Sequence, residues 1–225
     1  MIPRETLATA RIPGGGELCL VRHGNDFMIL VERNELMSTR MRGSEEALAT
    51  MSFARIKGAT KPRMLIGGYG MGFTLRAALA ELPGDASVTL CELVPGIIEW
   101  ARGPMRELTA GCLDDPRLNL VQGDVAAVIR ASQAGYDAIL LDVDNGPDGL
   151  VRDANDQLYD ESGLRAAKAA LRPGGVLAIW SAGKDDAFAR RLKKSGFAVE
   201  EVMVRARANG KGARHVIWFA SRPAH

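Results

Sequence analysis

The chain has 225 residues, 47% hydrophobic and 25% charged, the balance of a globular protein with room for one large domain and a small appendage. A formal charge of +2 is too mild to argue for a nucleic-acid partner. No apolar run reaches the length that spans a bilayer, and the N-terminus lacks a signal peptide's apolar core, so a cytoplasmic location with no membrane contact is expected.

Taken in order, residues 5–39 read as a small β unit. Glu17 to Val21 and Asp26 to Val31 are short apolar runs around Gly24-Asn25, a hairpin turn in which both residues tolerate positive φ, and Thr6 to Ile12 is an earlier strand set off by Gly14-Gly15-Gly16. Such a piece has little core of its own and is expected to pack on the rest of the chain or on a second subunit. Ser44 reads as the N-cap of a helix over roughly 44–57, with Glu45 and Glu46 in its first turn. The division is therefore a unit over residues 1–42 and a main domain over 43–225.

Beyond residue 60, strand-like and helix-like runs alternate. The strands are Arg63 to Ile66, Ser87 to Cys91, Leu118 to Val121, Ala138 to Leu141 and Val176 to Trp180. Their apolar residues are successive rather than alternating, as in a parallel sheet covered on both faces. Phe197 to Arg207 and Arg214 to Ala220, joined by Asn209-Gly210-Lys211-Gly212, predict an antiparallel hairpin added to that sheet. The expected fold is α/β and Rossmann-like, with a mainly parallel seven-stranded sheet.

The candidate site residues fall at strand ends. Gly68, Gly70 and Gly72 follow the first strand of the main domain in the form G-x-G-x-G, and Phe73 stands where a dinucleotide fingerprint needs its third glycine. That form resembles the turn of class I S-adenosylmethionine-dependent transferases, and Tyr69 lies within it. Glu92, about twenty residues on, ends the next strand, where a carboxylate accepts hydrogen bonds from ribose hydroxyls; its alternative is a loop acid. Gly123-Asp124 follows the third strand; the aspartate suits either an adenine amino group or a helix N-cap. Asp142-Val143-Asp144-Asn145 follows the fourth. Asp142 and Asp144 would share one side of an extended strand, one binding a cationic amine and one accepting its proton, or the segment is simply turn-rich. The three cysteines, Cys19, Cys91 and Cys112, have no metal-ligand spacing, Cys91 reads as a small core residue, and no metal is expected. The basic hairpin of Arg205, Arg207, Lys211 and Arg214 reads as a solvated edge rather than an RNA surface.

Together these residues resemble the spermidine synthase family, aminopropyltransferases on the class I methyltransferase fold. The resemblance rests on Gly67 to Arg76, Asp115-Pro116-Arg117, Gly123-Asp124, Tyr136-Asp137, Asp142, Leu158-Tyr159 and Leu171 to Leu177. It implies S-adenosylmethionine or its decarboxylated form as co-substrate, a small-molecule acceptor such as an amine, and a homodimer. It also implies Glu46, Asp144, Asn145 and Tyr159 on the acceptor side. The family's glycine turn carries an aspartate that holds the amine end of the decarboxylated nucleotide, whereas Tyr69 and Met71 stand here; its Tyr-His-Glu on the first helix reads Ser44-Glu45-Glu46, and its gatekeeping glutamine falls near Leu36. From the missing acid, methyl transfer from ordinary S-adenosylmethionine is the expectation, with aminopropyl transfer as the alternative and RNA methylation or a non-catalytic role behind both.

Overall fold

The computed structural model describes residues 3–32, 34–143 and 157–224. Its first part is an antiparallel sheet in sequence order, β1 (Glu5–Arg11), β2 (Glu17–His23), β3 (Asp26–Val31) and β4 (Asn34–Ser38). His23 pairs with Asp26, which leaves Gly24-Asn25 as a two-residue turn. Of the two only Gly24 takes positive φ, at 63°, as the first central residue of a type II′ turn does. Strand β4 runs through residues whose sequence shows no clear alternation.

Among the described residues the main sheet has seven strands, β5 (Arg63–Gly67), β6 (Ser87–Glu92), β7 (Leu118–Gln122), β8 (Tyr136–Leu141), β9 (Leu171–Ser181), β10 (Ala198–Arg205) and β11 (Arg214–Ser221), in the order β10-β11-β9-β8-β5-β6-β7. Only β11 runs against its neighbours; the other adjacent pairs are parallel. The helices are α1 (Gly43–Arg55), α2 (Phe73–Glu81), α3 (Pro95–Arg102), α4 (Arg106–Thr109), α5 (Val125–Arg130), α6 (Glu161–Ala170) and α7 (Asp186–Lys194).

Successive strand residues feed two cores, which is why the strands read as unbroken apolar runs. Met64, Ile66, Val88, Leu90, Ala138 and Leu140 face α1, α2 and α3, while Leu65, Ile139, Leu141, Leu177 and Ile179 face α5, α6 and α7. The N-terminal sheet joins the first core through Leu18, Leu20 and Ile29. Strand β1 lies so close to α3 that a Cβ on Gly96 would come within 2.4 Å of the Ala10 side chain. That contact carries the small sheet over the carboxyl ends of β5 and β6.

Two of the sequence motifs are braces. Arg117 pairs with Asp115 at 2.8 Å and donates to the Leu79 and Leu82 carbonyls, capping the end of α2. Asp137 accepts from the Arg63 amide and pairs with Arg172 at 2.9 Å, tying β5, β8 and β9 together at their starts.

Candidate active site

In an open α/β sheet the strand order reverses at one point, and ligands bind in the crevice outside the carboxyl ends of the strands there. Here the chain leaves β5 for β6 on one side and later returns to β8 on the other. A cleft opens at that place, lined by Gly68, Gly70, Glu92, Gly123, Asp124 and Asp142 from the sheet's loops. The small sheet adds Ile12, Leu18, Ile29, Leu36 and Met37, helix α1 adds Glu45, and β9 adds Trp180.

Glu92 is buried at the end of β6, with one carboxylate oxygen accepting from the Tyr69 amide and the other from the Val94 amide, both at 2.8 Å. Burial raises its pKa, and these backbone donors oppose the rise. The Gly70 and Leu93 amides act on the carboxylate in the same sense, and the carboxylate lines the cleft, where a ligand's hydroxyls can reach it. Asp124 caps α5 by accepting from the Ala126 amide at 2.8 Å and still lines the cleft. Beside them Cys91 is pushed up to about 11 by burial and then by the Asp124 and Glu92 charges, so it stays a neutral thiol in the wall.

Asp142 stands at the end of β8, where its amide donates to the Gly67 carbonyl and its Oδ2 accepts from the Thr74 hydroxyl at 2.6 Å. Burial pushes it up to about 6. Glu45, in the first turn of α1, is 6% exposed and is pushed up to about 8, first by burial and then by the Asp142 charge. Two carboxyl groups thus share the deep end of the cleft. Repulsion and desolvation both favour keeping a proton between them.

The sign of the pH effect follows from linkage. A carboxyl whose folded pKa lies above its unfolded value binds more protons in the native state, so stability falls as pH rises between the two values. For Glu45 the contribution is present below 4.5 and lost as pH passes about 8. Urea midpoints measured at pH 5 and pH 8.5 are expected to fall more in the wild type than in Glu45→Gln, which has no proton to lose at that position. Equal falls would remove Glu45 from the account.

The sequence placed several site residues differently. Glu46, one residue further round α1, points outward and pairs with Arg42 at 3.3 Å, while Glu45 enters the cleft. Helix phase carries that signal, because Leu48, Ala49 and Ser52, all buried, lie three, four and seven residues after Glu45. Ser44 is not the N-cap either; α1 begins at Gly43, whose amide donates to the Ala206 carbonyl of the β10–β11 connection. Tyr69 gives its amide to Glu92, but its ring turns beneath the glycine loop, with its hydroxyl 3.7 Å from Cys112 Sγ. Gly72 caps α2 and does not line the cleft. Tyr159 is buried in the second core, edge-on to Phe188 with ring centroids 5.5 Å apart. Asp144 and Asn145 lie outside the described residues. Leu36 and Met37 enter from β4, and the Met37 thioether rests on Gly70, whose φ of +54° is a conformation that side chains rarely adopt.

Among known proteins, a polyamine aminopropyltransferase of Mycobacterium tuberculosis (strain ATCC 25618 / H37Rv) is 28% identical over 166 residues, 72% of this chain and 30% of that protein. Putrescine N-methyltransferase 4 of Nicotiana tabacum is 38% identical over 116 residues, 51% of this chain and 28% of that protein. The chain therefore spans about 30% of the length of these relatives. The spermidine synthase of Thermotoga maritima superposes with a TM-score of 0.73 at 19% identity, covering 98% of this chain and 73% of that one. A spermidine synthase bound to the transition-state analogue AdoDATO superposes at 0.75, also at 19% identity with coverage of 98% and 73%. Both establish the fold. The spermine/spermidine synthase domain matches residues 42–187, from the start of α1 into α7 and so across the strands that carry the cleft, and the chain belongs to that family.

Proposed function

We propose that this chain transfers an aminopropyl group from decarboxylated S-adenosylmethionine to a small amine. One observation carries the reading. The described walls of the cleft hold four acids, Glu45, Glu92, Asp124 and Asp142, and no lysine or arginine. Such a lining suits a sulfonium with an ammonium tail and offers nothing to pair with the carboxylate of ordinary S-adenosylmethionine. The acid missing from the glycine turn, where Tyr69 and Met71 stand, favours methyl transfer when the turn is taken alone. Glu45 reverses that weighting by supplying a carboxyl from α1 instead.

When bound, the nucleotide supplies a carbon activated by its sulfonium, open to in-line attack by an amine as the carbon–sulfur bond breaks and a neutral thioether leaves. The chain's residues then align, dry and deprotonate. Glu92 accepts from the ribose hydroxyls and Asp124 from the adenine amino group. Leu36, Met37 and Trp180 form an apolar wall. Asp142 accepts the acceptor amine's proton, its position fixed by Thr74, with Asp144 as its partner acid.

Methyl transfer is the second reading, favoured by the tobacco relative, itself an N-methyltransferase. Calorimetry with each nucleotide, followed by mass spectrometry of products made from putrescine, separates the two. The expected result is binding at least about tenfold tighter for the decarboxylated form, a difference of about 1.4 kcal/mol, and a product heavier by one aminopropyl unit. Preference for the carboxylated form with a methylated product would overturn the proposal.

A further inference from the structure

Behind the carboxyl pair, Ser44 and His215 continue a chain of buried groups beyond the lining of the cleft. Glu45 Oε2 is 3.2 Å from Ser44 Oγ, and Ser44 Oγ is 2.9 Å from Nδ1 of His215 on β11. Ser44 is fully buried, Glu45 and His215 nearly so. The connection of β10 to β11 docks on the first turn of α1 through the Gly43 amide and the Ala206 carbonyl, and this brings residues so distant in sequence together. His215 also stands edge-on to Trp180, ring centroids 4.8 Å apart, and Trp180 lines the cleft.

We propose that Ser44 and His215 form a proton relay that links the cleft's carboxyl pair to the strand behind it. A hydroxyl has one proton to give and lone pairs to accept with, so Ser44 donates to one neighbour while accepting from the other. When Glu45 is protonated, it donates to Ser44 and Ser44 donates to the bare Nδ1 of His215, whose neutral ring then carries its proton on Nε2. When Glu45 is ionised, Ser44 donates to the carboxylate, and His215 turns to the tautomer with the proton on Nδ1, which donates to Ser44. As Glu45 ionises, one proton moves along each link, from Glu45 to Ser44 and from Ser44 to Nδ1, and the proton on Nε2 is released to solvent; protonation of Glu45 runs the same steps in reverse. A plain structural serine looks different: Ser52 on the same face of α1 closes back onto its own helix at the Leu48 carbonyl, 2.6 Å away. Ser44 has instead a titratable partner on each side.

Among the described residues, the charges that raise Glu45 are Asp142 at the end of β8 and Glu46 on its own helix. Burial lowers the pKa of His215, which keeps the imidazole neutral above pH 6.5, where its tautomer is free to respond to Glu45. Glu45 is pushed up to about 8, so the reversal falls within reach of ordinary buffers. In turnover, which rests on the transferase reading above, the relay gives a proton held by the carboxyl pair a route out, from Glu45 through Ser44 to Nδ1 of His215 while Nε2 releases its own proton to solvent.

The test is nitrogen NMR of protein labelled at its three histidines, with His215 assigned through His215→Asn. As pH rises through about 8, Nδ1 of His215 is expected to gain proton character while Nε2 loses it, opposite to the usual course of a histidine. Ser44→Ala and Glu45→Gln are expected to abolish that reversal, and Ser44→Thr to keep it. A single tautomer throughout, or a reversal that survives Ser44→Ala, would overturn the relay. This readout needs no substrate, so it stands or falls apart from the assignment of the reaction. With donor and putrescine, Ser44→Ala is further expected to lower kcat on the order of tenfold with the amine KM within about twofold, and Ser44→Thr to restore it. A loss that Ser44→Thr does not restore would count against the relay.

Discussion

Asp142→Asn is expected to lower kcat by about a hundredfold to ten-thousandfold, the range of a lost general base. Asparagine has nearly the same volume, and its amide oxygen still accepts from Thr74, whose hydroxyl lies 2.6 Å from the native carboxylate. The backbone bond to Gly67 is untouched. What disappears is the capacity to take a proton. Nucleotide affinity measured by calorimetry should therefore change far less than single-turnover rate. Glu45 should also titrate lower, because the Asp142 charge is one of the causes that raise it. Unchanged turnover would remove Asp142 from the role of base, and absence of turnover in the wild type with every amine and both nucleotides would leave a nucleotide-binding protein without catalysis.

Gly68→Ala is expected to cost about 2–4 kcal/mol of stability, within the upper range for point changes that combine backbone strain with a buried clash. Gly68 has φ +88°, and a Cβ there would sit 2.3 Å from the Asp142 carbonyl oxygen. The glycine amide donates to the Cys91 carbonyl at 2.8 Å, so the loop is held from both sides and cannot simply rotate away. Accommodating the methyl group means pushing β5 and β8 apart at the strand ends that carry the site. Urea unfolding should show the lost stability, and calorimetry should show a nucleotide affinity reduced by more than tenfold, about 1.4 kcal/mol. A variant with wild-type midpoint and affinity would mean the turn has slack that these distances deny.

The acids that end β6, β7 and β8 were legible in the chain because parallel strands present their carboxyl ends together. Glu92, Asp124 and Asp142 therefore fall around one cleft whatever the loop details. The residues brought by other elements were harder to read. Glu45 and Glu46 are neighbours of the same type, and only the angular position of α1 against the sheet decides which of them is buried. Tyr69 lies in the motif itself, but the loop's curvature sends its ring under the turn while its amide serves Glu92. Tyr159 is an aromatic next to a helix start, and its ring goes to Phe188 in the second core. Leu36 and Met37 reach the cleft through β4, where weak alternation hides the strand from a sequence reading.

By itself the sequence determined what depends on local pattern: the unbroken apolar strands of a doubly covered sheet, the glycine turn after β5, the closing hairpin, and the family to which these belong. Burial on both faces writes itself into composition, and a backbone that must pass close to Asp142 needs glycine at position 68. The tertiary structure decided the electrostatics. Glu45, Asp142, Ser44 and His215 come from α1, β8 and β11, and no spacing along the chain announces that they meet. A carboxyl takes its pKa from the desolvation and charge that surround it, and a hydroxyl takes its direction from its neighbours. Those surroundings exist only once the hairpin has docked on α1 and the small sheet has closed over the cleft.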